Sequence, residues 1–185
     1  MEIVATHLRD CFEIKPRVFE DARGRFVKLF NREVFAAHGL PTDFAEWCYS
    51  ASAPRVLRGL HFQTPPFDQA KLVFCLKGRV IDVVVDLRRG SPSYGQHGLF
   101  ELDAGRATGL LVPRGFAHGF YVPDEYSLFA YQIETVFSAP HDSGIRWDSA
   151  GVPWPDAEPL LSDRDKKLVA LKDFISPFVY QASPK

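Results

Sequence analysis

Short apolar segments follow one another between residues 50 and 137, and each is bounded by glycine, proline or aspartate. The segments are rich in β-branched and aromatic residues, a composition that favours strands over helices. Their close spacing predicts an all-β fold. The predicted central strands are KLVFCL, GRVIDVVVDL, HGLFEL, TGLLVP, HGFYV and SLFAYQIE, with a hairpin turn at LKGR and a longer loop at RRGSPSYG.

The segment RVIDVVVDL shows the clearest alternation of apolar and polar positions. Its alternate apolar positions from Ile81 to Leu87 fall on one face of an ideal strand, whereas the other face mixes valines with Asp82 and Asp86. One apolar face and one mixed face predict a half-buried strand.

The flanking sequence adds strands and two short helices. FEIKP and GRFVKLFN are predicted strands, and NREVFAAHG is a predicted helix with Asn31 as its cap and Gly39 as its stop. In LLSDRDKKLVAL, Ser162 stands three residues before Asp165, the spacing of a capping box that opens a C-terminal helix. These elements predict a β-sandwich or jelly roll in one domain, residues 1–185, with a few short peripheral helices, including one near the C-terminus.

Charge and cysteine content narrow the choice of partners and location. With 22 basic and 23 acidic residues the formal net charge is −1, so the chain lacks the basic surface that nucleic acids require. Cys11, Cys48 and Cys75 are odd in number and lack C-x-x-C spacing, which favours the reducing cytoplasm. The N-terminus has no signal-peptide pattern, and no apolar run approaches the roughly 20 residues that span a bilayer, so no membrane association is expected.

The stretch RVLRGLHFQTPPFDQAKLVFCLKG places charged and polar side chains within two predicted strands. Polar groups on an inner sheet face are costly unless they line a cavity, so this stretch predicts one. Leu57, Gly59, His61 and Gln63 would share a face of an ideal strand, and Arg58 would point away unless Gly59 marks a bulge. The alternative is a hydrogen-bonded core histidine beside a surface arginine.

A second polar cluster favours the cavity. VPRGFAHGF brings His118 onto a strand, and neighbouring strands supply Lys71 and Tyr131. The outline suggests a metal-binding cupin, which needs about three histidine or carboxylate ligands. A lysine ammonium has no lone pair and the Gln63 amide is a poor ligand, so only His61 and His118 remain. We therefore expect no metal, and this set of side chains suits proton abstraction beside a carbonyl.

Several longer motifs resemble those of one known family. They are DARGRF, VLRGLHFQ, KLVFCLKGRVIDVVVDLRRGSPSYG, VPRGFAHGF, GIRWD and LLSDRD, and they cover most of the chain in the expected order. The chain resembles the dTDP-4-dehydrorhamnose 3,5-epimerases, a branch of the cupins. The resemblance implies a cupin jelly roll and an isomerase that inverts C3 and C5 of a nucleoside-diphosphate 4-keto-6-deoxyhexose without a cofactor. It also implies a homodimer in which the N-terminal strands pack on the partner.

The resemblance also implies a role for each residue of the catalytic set. His61 resembles the family's general base, and Asp165 resembles the carboxylate that orients it. The family pattern S-x-x-D favours Asp165 over its neighbour Asp163 for this role. Asp165 could equally cap a helix. Tyr131 resembles the phenol that returns a proton, although buried tyrosines often serve only as core residues. Lys71 resembles the residue that faces the ketone or enolate.

The same resemblance implies a substrate-binding set. His118 and Arg58 would lie beside Lys71, Gln63 would complete the pocket, and Arg23 would reach the nucleotide or its phosphates. An exposed turn arginine can also be no more than a solvated charge.

Some positions depart from the family pattern, and all lie where the family recognises nucleotide and sugar. Lys28 stands where the family has glutamate, EWCYS replaces Q-x-N-H-S and so introduces Glu46 and Cys48, and Phe137 replaces a second tyrosine. Thymine N3 is a donor that suits glutamate, whereas cytosine N3 and O2 are acceptors that suit lysine. This contrast gives the hypothesis of a CDP- or GDP-linked sugar in place of a dTDP-linked one.

Other functions stay open on the sequence alone. A 3-epimerase and a ketoisomerase would use similar groups, and a metal cupin or a non-catalytic sugar-binding jelly roll would keep the fold without this chemistry.

Overall fold

Two antiparallel β-sheets face each other in the computed structural model of the protein, which describes residues 1–181. The strands are β1 (Glu2–Ala5), β2 (Phe12–Lys15), β3 (Val18–Asp21), β4 (Gly24–Val27), β5 (Glu46–Ser52), β6 (Leu57–Gln63), β7 (Lys71–Lys77), β8 (Arg79–Asp86), β9 (His97–Asp103), β10 (Gly109–Val112), β11 (Phe116–Tyr121), β12 (Ser127–Ile133) and β13 (Asp142–Gly144). The helical elements are α1 (Arg32–Ala37) and 3₁₀ turns at Ala139–His141, Asp165–Lys167 and Leu171–Asp173.

The strand order confirms the jelly-roll prediction. One sheet has the order β1-β2-β10-β7-β12-β5 and the other has the order β13-β6-β11-β8-β9. Strands β3 and β4 form a separate two-stranded hairpin. The apolar core between the two sheets includes Val73, Val84, Phe120 and Phe129. No helix among residues 1–181 is long and apolar enough to cross a membrane.

Strand β8 is buried on both faces, so the prediction of a half-buried strand was wrong. Its apolar face packs against the segment that follows β13, where Val83 and Val85 share a cluster with Ile145 and Phe178. Its mixed face points between the sheets, and Asp82 there is fully buried. Because the covering segment lies about 60 residues further along the chain, local alternation alone cannot reveal it.

The two predicted helices have different outcomes. Helix α1 forms as expected, because the Asn31 side chain accepts from the first-turn amides and Gly39 has the positive φ that ends many helices. The predicted C-terminal helix is confirmed only as 3₁₀ turns: Ser162 Oγ accepts from the Asp165 amide at 3.1 Å, and the turns Asp165–Lys167 and Leu171–Asp173 follow. Val169 instead forms a parallel bridge with Ile145, and this pairing holds the chain extended.

The loop RRGSPSYG is fastened by one buried carboxylate at the end of β8. Asp86 is fully buried and accepts hydrogen bonds from Arg88, from Ser91 Oγ at 2.5 Å and from Ser93 Oγ at 2.7 Å. Burial by itself would raise the pKa of Asp86, but these hydrogen bonds outweigh it and hold the pKa below its ordinary value. The loop therefore depends on an ionised Asp86.

Replacing this carboxylate should weaken the whole fold. Asp86→Ala leaves the Arg88 guanidinium without its main partner, and we expect the free energy of unfolding to fall by about 3 to 5 kcal/mol in urea denaturation. Since the pKa of Asp86 is lowered, its contribution is present above about pH 4, the ordinary value, and is lost as the pH falls towards the folded value. Glu101→Ala, which breaks an exposed ion pair with Arg79, is the control and should cost far less. Equal losses for both variants would contradict this account.

Candidate active site

A cavity of about 700 Å³ opens between the two sheets. Eight of the ten residues that the sequence assigned to the site line it. They are Glu46, Arg58, His61, Gln63, Lys71, His118, Tyr131 and Asp165. The polar side chains of the two predicted strands therefore surround a cavity.

A bulge in β6 directs the side chains of that strand. His61 is paired with His118 of β11 and Arg58 with Phe120, so two residues of β6 lie opposite the single residue Gly119. Gly59 has φ +134°, and a Cβ there would lie 2.6 Å from the Cα of Gly119. Only glycine fits this close approach. The predicted bulge is confirmed.

The bulge turns Arg58 towards the cavity. One extra residue shifts the alternation by one, so Arg58 lies on the same side of β6 as His61. Its Nε donates to Ser52 Oγ of β5 at 3.0 Å, which links the two sheets. Arg58 lines the cavity and is also exposed, so both the site position and the surface charge of the sequence analysis describe it.

His61 and Asp165 form a hydrogen-bonded pair in the cavity wall. The distance from His61 Nε2 to Asp165 Oδ1 is 2.6 Å, and Asp165 is 2 % exposed. Burial would raise the pKa of Asp165, but the hydrogen bond from His61 and the Gly59 amide outweigh it and lower the pKa. An ionised Asp165 accepts from Nε2–H, and this tautomer leaves the lone pair on His61 Nδ1. Asp165 is the first residue of the 3₁₀ turn Asp165–Lys167, but its carboxylate binds His61 and the Gly59 amide rather than an amide of that turn.

Burial sets the protonation of three side chains in the cavity wall. Desolvation lowers the pKa of His61 more than Asp165 raises it, so the ring is neutral at pH 7. Desolvation also lowers the pKa of Lys71 to about 8, and its Nζ donates to the His61 carbonyl at 3.4 Å. Burial raises the pKa of Tyr131, which keeps the phenol protonated. The cavity thus holds a neutral imidazole, an ammonium group and a phenol.

A second histidine–carboxylate pair was not predicted from the sequence. His118 Nε2 lies 2.8 Å from Oδ2 of the fully buried Asp82. Asp82 stands between Val80 and Val84 on the inner face of β8, and a carboxyl group in that position could have indicated a buried partner. His118 is also stacked on Phe129, with 6.0 Å between ring centroids.

Two of the predicted site residues lie outside this cavity. Arg23 is at the tip of the β3–β4 hairpin, where its exposed side chain pairs with Asp21. Lys28 is exposed just after β4. Within this one chain the hairpin does not bring either cation to the cavity. Among residues 1–181, no group of three or more histidine, cysteine, aspartate or glutamate residues is arranged to hold a metal ion.

A jelly roll whose inner cavity combines a carboxylate-bound imidazole with a buried lysine and a phenol defines a cupin-type acid–base enzyme. A model of the dTDP-4-dehydrorhamnose 3,5-epimerase family matches residues 5–173. The dTDP-4-dehydrorhamnose 3,5-epimerase of Shigella flexneri is 40% identical over 168 residues, which cover 89% of this chain and 93% of that protein.

Solved structures agree with the sequence comparison. The dTDP-4-dehydrorhamnose 3,5-epimerase of Bacillus anthracis, solved with TDP and PPi bound, has a TM-score of 0.89 and 38% identity and covers 92% of this chain and 99% of its own. The dTDP-6-deoxy-D-glucose-3,5-epimerase of Legionella pneumophila, solved with dTDP-4-keto-L-rhamnose, has a TM-score of 0.93 and 32% identity. The match covers 98% of this chain and 99% of that one. The chain belongs to the dTDP-4-dehydrorhamnose 3,5-epimerase family, and it is an isomerase of the epimerase class.

Removing the Asp165 charge should change the titration of His61. In Asp165→Asn the influence that raises the pKa of His61 is lost while burial remains, so this pKa should fall further. The measurement is an NMR titration of the imidazole signals. Asp163→Asn is the matched control, because Asp163 is exposed and pairs with Lys166. An unchanged His61 titration in Asp165→Asn would show that the carboxylate does not act on the ring.

Proposed function

We propose that this protein inverts C3 and C5 of a dTDP-linked 4-keto-6-deoxyhexose, with His61 as the general base. The observation that carries the proposal is the 2.6 Å hydrogen bond between His61 Nε2 and the buried Asp165. It leaves Nδ1 as the proton acceptor in a cavity that also contains Lys71 and Tyr131. No cofactor takes part in the proposed reaction.

The first step is removal of a proton next to the ketone. His61 Nδ1 takes the proton from C3 or C5, the C–H electron pair becomes the enolate double bond, and negative charge develops on the C4 oxygen. Lys71 supplies the positive charge that stabilises this oxygen, because its pKa of about 8 keeps most of it protonated at pH 7. The ionised Asp165 stabilises the imidazolium that forms.

The second step returns a proton to the opposite face. Tyr131 belongs to β12 in the six-stranded sheet, whereas His61 belongs to β6 in the other sheet. A substrate between the sheets would therefore have the base on one side and the phenol on the other. The Tyr131 O–H bond breaks, the proton goes to carbon, and the enolate returns to a ketone with inverted configuration.

The ligands of two relatives support a thymidine carrier. The Bacillus anthracis structure contains TDP and the Legionella pneumophila structure contains dTDP-4-keto-L-rhamnose. The hypothesis of a CDP- or GDP-linked sugar rested on Lys28, which lies outside the cavity of its own chain and would contact the nucleotide only in a partner subunit. The CDP- and GDP-linked sugars are accordingly the competing substrates, and an enzyme that inverts C3 alone is the competing reaction.

Solvent hydrogen exchange tests the substrate and the reaction together. We expect 4-keto-6-deoxyglucose linked to dTDP to gain deuterium at both C3 and C5 in deuterated buffer, faster than the CDP- and GDP-linked sugars, as followed by NMR. Labelling of C3 alone would indicate a 3-epimerase, a carbonyl at C3 in the product would indicate a ketoisomerase, and no labelling on any carrier would rule out the proposed chemistry.

His61→Asn is the control for that exchange. Loss of the general base should slow labelling at both carbons by roughly 10²- to 10⁴-fold, whereas thymidine diphosphate should bind with unchanged affinity in calorimetry. Exchange at the wild-type rate in this variant would assign the base to another residue.

We further propose a homodimer in which the β3–β4 hairpin packs on the partner. The hairpin carries Phe26, which is 62% exposed, and the edge strand β5 carries Trp47 and Tyr49, each 70% exposed. Large exposed apolar side chains of this kind favour an interface. In such a dimer Arg23 and Lys28 would be free to reach the nucleotide bound by the partner, the substrate-binding role that the sequence gave them.

Sedimentation should give twice the 20.9 kDa chain mass. Replacing Phe26 and Trp47 by serine removes apolar contact area and should produce monomers. Ile175→Ser is the control, because Ile175 is 90% exposed on another part of the chain, and this variant should stay dimeric. A wild-type protein of single-chain mass would contradict the dimer.

We also propose that the whole chain forms one catalytic domain and works in the cytoplasm. Cys11, Cys48 and Cys75 are all free thiols, as a reducing compartment requires.

A further inference from the structure

The segment of residues 134–138, here called the strap, crosses from one sheet to the other at one end of the cavity. It follows β12 of the six-stranded sheet and leads through a 3₁₀ turn to β13 of the five-stranded sheet. Strap residue Phe137 lines the cavity. Any movement of the strap therefore changes the cavity mouth.

Side chains of the strap fasten its first half. Glu134 Oε2 accepts from the Ala70 amide at 2.8 Å and from Arg114 Nε at 2.8 Å. Thr135 Oγ1 donates to the Phe67 carbonyl at 3.0 Å. These contacts tie the start of the strap to the loop before β7 and to Arg114 after β10. They do not involve the second half of the strap.

Two cavity residues hold the second half by its backbone. The Phe137 amide donates to Glu46 Oε1 of β5 at 3.0 Å, and the Ser138 amide donates to Gln63 Oε1 of β6 at 2.6 Å. Gln63 Nε2 also donates to the Phe67 carbonyl at 2.9 Å. Two successive strap amides are thus bound by side chains from opposite sheets.

The Phe137 ring itself does little to hold the strap. It is 60% exposed, although it belongs to the wall of the cavity. Because most of its surface is exposed, the ring can pack on a bound molecule at little cost in contacts within the protein, and the hydrogen bond of its backbone amide limits where it can lie. Its position depends on the acceptor at Glu46.

We propose that Glu46 is a positioning residue for substrate binding, whose carboxylate holds the Phe137 ring at the cavity mouth. This inference rests on the proposed function and assigns Glu46 an indirect role, in contrast to the direct substrate contact that the sequence suggested. The charge of Glu46 agrees with it. A carboxylate beside a diphosphate would repel the substrate, whereas a carboxylate that accepts from a protein amide forms a strong charge-assisted hydrogen bond.

Three variants separate holding the strap from contacting the substrate. Glu46→Ala removes the acceptor, so KM for the nucleotide sugar should rise about tenfold while kcat stays within about twofold. Glu46→Gln keeps an oxygen acceptor for the Phe137 amide and should restore KM to within about twofold of wild type. Glu2→Ala, an exposed carboxylate at the edge strand β1, controls for loss of negative charge.

A measurement without substrate keeps this inference distinct from the proposed function. Hydrogen–deuterium exchange of the peptide that contains the strap should be faster in Glu46→Ala and unchanged in Glu46→Gln. If the wild-type enzyme labels the sugar more slowly than expected, that result contradicts only the proposed function. The inference is overturned if Glu46→Gln raises KM as much as Glu46→Ala, or if strap exchange is the same in all variants.

Discussion

The hydrogen bond between His61 and Asp165 is the constraint on which the site depends. It joins residues 104 positions apart, one in the middle of a strand and one in a C-terminal turn. Burial alone would neutralise Asp165 and leave His61 without orientation, so each group depends on the other to keep its useful form. The bulge at Gly59 and the extended chain after the turn both serve this contact, since they set where the two side chains meet.

Buried polar groups occur in this sheet because nearly all of them are paired. The half-buried His61 pairs with the buried Asp165, the buried His118 pairs with Asp82, and the exposed Arg58 binds Ser52 on the opposite sheet. A carboxylate or guanidinium group placed in the same interior without a partner would destabilise the fold by several kcal/mol. The cavity wall and the apolar core between the sheets share strands β7, β11 and β12.

Local features were well predicted from the sequence, and features that depend on distant segments were not. The central strands, the Asn31 cap and the Gly59 bulge follow from neighbouring residues, and the structure confirms them. The predicted C-terminal helix is not continuous, because Val169 between its two 3₁₀ turns pairs with Ile145, a contact that no capping pattern contains. Most of the site could be predicted from motif resemblance, but Asp82 and the fixed orientation of Gln63 depend on contacts across the sheets.

The position of Asp165 also orders events during synthesis. The strands that form both sheets are complete by residue 144, whereas the carboxylate that orients His61 comes 21 residues later and is held by a segment packed outside the five-stranded sheet. A nascent chain can therefore form both sheets while His61 still lacks its partner. The His61–Asp165 pair can form only after the ribosome has released Asp165 and enough chain for that segment to dock.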